Sequence, residues 1–358
     1  VRKLSSLASR LVPEAVKKLI PYQSARRIGG SGRIWLNANE LEAPLAYDSS
    51  ASGYHRYPDF MPAQIAQAYQ SYAGTNKATI AVRGADEAID LLIRTFCQPG
   101  KDKIVICSPT YAMYEFCADA LAIETLDVPL NRDFSLDCEQ VVKQAENANL
   151  IFLCSPNNPT GNVIAREQIV DVLEGTKQSA LVVVDEAYIE FEPETSVLSL
   201  MEEYPHLVVI RTLSKAFGLA AVRCGYIVAD DSVMSYVEKL IPPYPIPDSS
   251  AEIVLKALSA EGLKCVSSST EELKQTRDWF IGQLGQFDFI QTVYPSSTNF
   301  VLLRCRENTA LFEYLKEHGI ITRNQHHEPA LRHCARITIG TRQSMAELIE
   351  VLQQFNGQ

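Results

Sequence analysis

No apolar run in this 358-residue chain is long enough to cross a bilayer, which argues against a membrane-spanning protein. Its first twenty residues, VRKLSSLASRLVPEAVKKLI, lack the uninterrupted apolar core of a secretory signal, and a cytoplasmic location is expected. Positive charge is in short supply: 33 Lys and Arg against 43 Asp and Glu give a formal net charge of −10. Nonspecific binding to nucleic acid or to an anionic membrane needs a clustered cationic excess, so neither is expected as a partner. Small molecules, or a second copy of the chain, fit better. Nine cysteines include no C-x-x-C pair, and their odd number argues for reduced thiols used as small core residues. The phosphate-binding motif G-x-x-x-x-G-K-[ST] is missing, and the cluster Gly29, Gly30 and Gly32 has neither G-x-G-x-x-G spacing nor a preceding strand, so it reads as a flexible turn. Repeats and low-complexity segments are also missing.

What is present describes a folded, soluble protein of about two domains, with 46% apolar and 21% charged residues. Leu4, Leu7, Leu11 and Ile20 share one helical face in an amino-terminal arm, which reads as a surface helix or as an arm crossing to a partner subunit. From Thr79, short apolar runs (TIAV, KIVIC, LIFLC, LVVV, LVVI) alternate with helical patterns, which predicts an α/β fold with a mostly parallel sheet wrapped by helices. Prolines at 242, 243, 245 and 247 mark a boundary. Beyond it, a small α+β unit is expected, with strands at 299–303, 320–322 and 336–339 and helices near 311–316 and 345–355. The expected division is an arm with part of the small domain at 1–50, a large domain at 51–248 and a small carboxyl-terminal domain at 249–358.

Three of the buried-looking strands end in chemistry: LIFLC runs into Asn158, LVVV into Asp185, Glu186 and Tyr188, and LVVI into Thr212, Ser214 and Lys215. Open α/β sheets bind ligands at the carboxyl ends of their strands, so one pocket can receive an amide, a carboxylate, a phenol and an amine. That set suits pyridoxal 5′-phosphate, whose aldehyde condenses with a lysine while a carboxylate keeps the ring nitrogen protonated. Lys215 and Asp185 fit those two roles, and Asn158 and Tyr188 fit as donors to the ring's phenolic oxygen. Arg223, with the hydroxyls of Thr212 and Ser214, suits the phosphate. Arg83-Gly84-Ala85-Asp86, between a strand and a helix, offers further anion-binding N–H groups, with Asp86 serving equally as a helix N-cap or as a cofactor contact. Asp185-Glu186 alone would also resemble a magnesium-holding acidic pair, but the partner motif is missing. His326 and His327 read as surface residues, because adjacent side chains diverge and no other metal-ligand type is placed with them.

SPNNPTG with Asn158, VVVDEAY with Asp185 and Tyr188, and TLSKAFGLAAVRCG with Lys215 and Arg223 together resemble the signature of fold-type I, class II-type aminotransferases. PYQSARRIGG, WLNANE, HRYPD, RGADEAIDLLIR, SPTYAMY, ITRNQ and ARITIGT extend the resemblance over nearly the whole chain, to the histidinol-phosphate aminotransferase family. The resemblance implies an aspartate-aminotransferase-like fold. It also implies a step of histidine biosynthesis in which an amino group moves between L-histidinol phosphate and 2-oxoglutarate, giving imidazole-acetol phosphate and glutamate. In this reading Lys215 carries the cofactor and shuttles the proton as a neutral amine, Ala85 and Asp86 lie at the phosphate end, and Tyr111 stacks on the ring. Arg336 holds the substrate carboxylate, while Arg323, Tyr22 and Tyr57 of the partner subunit in a homodimer add phosphate contacts. Asn39 and Glu40 shape the imidazole end, although NANELEAP here departs from the commoner NENP. The alternatives are a threonine-phosphate decarboxylase, an aromatic-amino-acid aminotransferase, or a cofactor-binding sensory domain; the last needs a basic DNA-binding segment that this chain lacks.

Overall fold

The computed structural model describes residues 32–36, 39, 61–242, 244–306 and 308–355. In chain order over those residues come β1 (Ile34–Trp35), α1 (Ala63–Ala73), β2 (Ala78–Val82), α2 (Ala85–Phe96), β3 (Lys103–Ile106), α3 (Met113–Ala120), β4 (Glu124–Asp127) and α4 (Cys138–Ala145). Next are β5 (Leu150–Cys154), α5 (Arg166–Thr176), β6 (Leu181–Asp185), β7 (Leu207–Thr212), β8 (Gly225–Ala229), α6 (Asp231–Val237), α7 (Asp248–Ala257) and α8 (Ala260–Leu284). The chain continues with β9 (Ile290–Val293), β10 (Phe300–Cys305), α9 (Asn308–Glu317), β11 (Ile320–Ile321), β12 (Arg323–Asn324), β13 (Cys334–Thr338) and α10 (Arg342–Gln354).

Seven strands form one sheet in the order β2-β8-β7-β6-β5-β3-β4. Only β8 runs against the others, pairing antiparallel with both β2 and β7. The carboxyl ends of β2, β3, β5, β6 and β7 therefore share one edge. Alternation along each strand divides the core between the two faces. Phe152, Val183, Val208 and Ile210 pack under α2 and α3, while Ile151, Leu153, Val182, Val184 and Val209 pack against α4 and α5. Both faces are covered, which is why these strands read as continuous apolar runs.

Two strands of this sheet escaped the apolar-run reading for different reasons, as did the short β1 and β9 outside it. β4 (ETLD) is an edge strand with exposed ends and carries little apolar signal. β8 follows directly on the functional stretch ending at Arg223 and Cys224. The 25-residue α8, low in apolar content, went unpredicted too; its N-cap Ser259 accepts a hydrogen bond from the Gly262 N–H at 3.2 Å.

β12, β13, β10 and β9 make a second, antiparallel sheet. β1 pairs in parallel with β11, and Leu36 continues the contact by accepting from the Thr338 N–H at 3.0 Å. This brings the segment holding Asn39 beside β13. The arm at residues 4–20, Tyr22, Glu40, Tyr57 and Pro243 lie outside the described residues.

Candidate active site

Strand alternation decides what each acid of the Asp185-Glu186 pair does. Asp185 ends β6 level with Cys154 of β5 and Ile210 of β7, and its side chain points to the α2–α3 face. There it accepts hydrogen bonds from the Tyr114 hydroxyl at 2.8 Å and the Ala187 N–H at 3.0 Å. Glu186 turns to the opposite face and is buried against Arg211, whose Nε donates to it at 2.6 Å, with the Ser196 hydroxyl at 3.2 Å and the Val197 N–H at 2.7 Å as further donors. The two acids thus diverge and do not form a magnesium site. Among the described residues no group of His, Cys, Asp and Glu could hold a metal ion.

Asp185 lies on the wall of a cavity of about 640 Å³. Burial lifts its pKa to about 6, opposed by the Tyr114 hydroxyl and the Ala187 N–H, with the Asp86 and Glu186 charges pushing further upward. Lys215, three residues beyond β7, lines the same cavity, its Nζ 5.8 Å from the centre of the Tyr188 ring. The Tyr188 hydroxyl accepts from Asn39 Nδ2 at 3.0 Å. Burial drives that phenol's pKa upward, against the charge of Arg336 and the Asn39 hydrogen bond. Asn158, just past β5, lies across the cavity with its carbonyl oxygen held by the Arg336 guanidinium, which leaves the amide N–H groups as its donors.

The anion-binding end comes from β2, α2 and the turn after β7. Gly84 is the N-cap of α2, with φ of 88°, no side-chain cap, and no room for a Cβ, which would run into the Arg223 guanidinium. The uncapped first turn, carrying Ala85 and Asp86, faces the cavity, and exposed N–H groups there favour an anion. Arg223 adopts the left-handed conformation, φ 54°, which a non-glycine residue holds only under local constraint. It donates to the Ser214 hydroxyl at 3.4 Å and the Arg83 carbonyl at 3.3 Å, and Thr212 donates to Ser214 at 2.9 Å. Asp86 is not the N-cap. Its carboxylate accepts from the Tyr111 hydroxyl at 2.9 Å and lies 3.6 Å from Arg223, so it anchors an aromatic wall of the cavity and turns its charge toward a cation.

The second sheet supplies the other side. Arg323 and Arg336, side by side on β12 and β13, both line the cavity. Arg336 is buried, its guanidinium 5.3 Å from the Phe300 ring centre. Asn39, at a positive φ of 54°, is fixed from both ends: Thr338 donates to its Oδ1 at 2.8 Å, and Asn299 donates to its carbonyl at 2.8 Å.

Thirteen residues assigned to the site in the sequence line this one cavity: Asn39, Ala85, Asp86, Tyr111, Asn158, Asp185, Tyr188, Thr212, Ser214, Lys215, Arg223, Arg323 and Arg336. Sequence reasoning missed Gln325, His327 and Glu328, which follow Arg323 along the same wall. No strand pattern pointed to them, because β12 ends at Asn324 and the chain turns at 326–327. His326 is at the surface, its ring 4.9 Å from His333, whereas His327, though exposed, borders the cavity. Partial loss of solvent at the cavity rim and the Arg323 charge both lower the His327 pKa, which favours the neutral ring. Tyr114, three residues past Tyr111 and inside α3, was missed as well.

The residues fit pyridoxal phosphate on three counts: an amine and a carboxylate on one cavity wall, amide and phenol donors beside them, and a cradle at Gly84 that a Cβ would fill. The two further guanidiniums suit anionic groups of a second ligand.

Comparison with known proteins agrees with this chemistry. A family model described as aminotransferase class I and II matches residues 33–352. Histidinol-phosphate aminotransferase 1 of Haemophilus influenzae is 42% identical over 354 residues, 99% of this chain and 96% of that protein. Histidinol-phosphate aminotransferase of Pectobacterium carotovorum is 43% identical over 343 residues, 96% of each chain. The solved structure of histidinol-phosphate aminotransferase from Sinorhizobium meliloti in complex with pyridoxal-5′-phosphate matches with a TM-score of 0.82 at 22% identity, covering 97% of this chain and 98% of that one. At that identity the match shows a shared fold.

Proposed function

We propose that this chain, which belongs to the aminotransferase class I and II family, holds pyridoxal 5′-phosphate in the cavity and moves an amino group between L-histidinol phosphate and 2-oxoglutarate. The observation that carries the proposal is that Lys215, Asp185, Asn158 and Tyr188 share one cavity with an anion cradle and with two further arginines. The substrate assignment rests on the names of relatives at 42–43% identity over nearly the whole chain. Bound pyridoxal phosphate supplies an aldehyde for amine exchange and an electron sink for the substrate carbon.

Each residue then has a task. The Lys215 amine would hold the aldehyde and, as a neutral base, would carry the proton to and from the substrate carbon. Asp185, kept anionic, pairs with the ring N–H. Asn158 and Tyr188 donate toward the ring's phenolic oxygen, and Tyr111 flanks the ring. Ser214, Thr212, Arg223 and the first turn of α2 hold the phosphate. Arg323 and Arg336 meet the substrate's anions: histidinol phosphate has a phosphate and no carboxylate, whereas glutamate has two carboxylates, and planar guanidiniums pair with both. Asn39 keeps Tyr188 in place and borders the imidazole end. A homodimer in which Tyr57 of the partner subunit joins Tyr22 at the substrate phosphate completes the reading, and a fully active monomer by sedimentation would contradict it.

The test is the visible spectrum of the protein loaded with pyridoxal phosphate, before and after L-histidinol phosphate is added without an amino acceptor. Loss of the visible band is the expected result. An unchanged band removes histidinol phosphate as substrate and directs attention to threonine phosphate and aromatic donors. Failure to form the band at all would overturn the assignment of Lys215.

A further inference from the structure

Asp185 has a neighbour that no role above accounts for. Tyr114, on α3, is fully buried, its ring stacked on Phe152 with centroids 4.8 Å apart and planes 15° apart. Its hydroxyl reaches the end of β6 and donates to Asp185 Oδ2 at 2.8 Å, while the other carboxylate oxygen takes the Ala187 N–H at 3.0 Å. An apolar phenylalanine would fill the same slot, yet a hydroxyl is carried into the core and used on this acid. We infer that Tyr114 is a positioning residue of the active site: its hydroxyl, with the Ala187 N–H on the other oxygen, fixes the orientation of the Asp185 carboxylate as an acceptor.

The inference rests on the reading of Asp185 as the partner of the cofactor's ring nitrogen. A protonated Asp185 would lose the charge that holds that nitrogen's proton, so the acid must remain anionic although it is 1% exposed. The groups around it mostly oppose this. Burial is the largest influence raising its pKa, and Asp86 from α2 and the adjoining Glu186 add repulsion. Cys154, level with it on β5, has a pKa raised by burial and stays a neutral thiol. Ile210, level with it on β7, brings no charge. Of the influences favouring the anion, the Tyr114 hydroxyl stands first and the Ala187 N–H second. The phenol is a safe donor, because its own pKa is raised well above the ordinary value by burial and by Asp185, so it does not compete for the negative charge.

The experiment titrates apo-protein with pyridoxal 5′-phosphate across pH and reads the dissociation constant from the visible band, for the wild type, Tyr114→Phe, Asp185→Asn and Phe152→Leu. In the wild type, affinity falls as Asp185 protonates near about 6. Tyr114→Phe removes a hydrogen bond to a charged group, so the midpoint of that fall moves up by about one pH unit, and affinity weakens about twofold at about pH 7 and approaches a loss of about tenfold well below about pH 6. Phe152→Leu disturbs the packing of the Tyr114 ring without touching its hydroxyl, and its midpoint stays put. An unmoved midpoint in Tyr114→Phe, with Asp185→Asn strongly impaired, overturns the inference and leaves the Asp185 reading standing. Unimpaired binding by Asp185→Asn overturns the reading itself. A shift in Phe152→Leu equal to that in Tyr114→Phe would reduce Tyr114 to a packing role and overturn the inference as well.

Discussion

Replacing Asp185 by Asn should make the apo-protein more stable while ruining its affinity for the cofactor. The native carboxyl titrates at about 6, against about 4 in an unfolded chain, so the native state binds this proton more tightly than the unfolded state. Its contribution to stability is therefore complete below about pH 4, is lost as pH rises, and levels off above about 6. Two pH units correspond to about 3 kcal/mol that the wild type gives up near pH 8, and to roughly half of that near pH 5. Asn keeps the shape, its carbonyl can still accept from Ala187, and the Tyr114 hydroxyl can turn to accept from the new amide, so few hydrogen bonds are lost. Urea unfolding of both apo-proteins at about pH 8 and about pH 4.5 measures the difference. A higher midpoint for the variant at the alkaline pH, with the gap mostly closed at the acidic one, is the expected result. A variant that is no more stable at either pH, or a gap that ignores pH, would refute the argument that burial of this charge opposes folding. Such a trade of stability for function is common at sites that need a buried charge.

Arg211→Met leaves Glu186 buried without its guanidinium and should destabilise the protein by about 3–5 kcal/mol; adding Glu186→Leu should recover most of the loss, and urea unfolding of the single and double variants checks both. Glu190, whose buried carboxylate oxygens meet no hydrogen-bond partner among the described residues, has its pKa raised to about 7 by burial, against the pull of Arg211. Its contribution is likewise lost as pH rises through neutrality, so Glu190→Gln should raise the thermal midpoint near pH 8 and have little effect near pH 4.5. Lys215→Ala should abolish turnover with an unchanged circular-dichroism spectrum, and near-normal turnover would remove the central assignment.

The parts of this molecule that were legible in its sequence are those where local pattern and burial agree. LIFLC, LVVV and LVVI are central strands covered on both faces, so their apolar runs announce them, and the residues that follow them fall at the ligand-binding edge as topology requires. Edge strand β4 and the polar-rich α8 have no such run, because an edge strand is half solvated and a long helix can be held by one narrow stripe. In the site, the residues legible in advance were those that follow the central strands or fall in the quoted motifs: the amine, the acids and arginines, and the amides, phenols and hydroxyls beside them. Tyr114 and Gln325 were not, because their roles depend on which neighbour they meet across the fold, and a single sequence does not carry that information.

Alternation along one short strand also ties the site's two sources together. Arg336 and Thr338 lie two residues apart on β13 and so project from the same face. Arg336 reaches Asn158, beyond β5 of the large sheet, while Thr338 reaches Asn39, whose amide holds Tyr188, beyond β6. The two donors assigned to the cofactor's phenolic oxygen are therefore each oriented through β13, from a different sheet and about 150 to 180 residues away in sequence. Neither is in place until the antiparallel sheet has docked on the parallel one and the segment at Asn39 has joined it. Cofactor affinity, then, depends on the assembly of the whole site as well as on the strand ends that touch the ring, and a packing defect at β13 should weaken it without altering Lys215, Asp185 or Arg223.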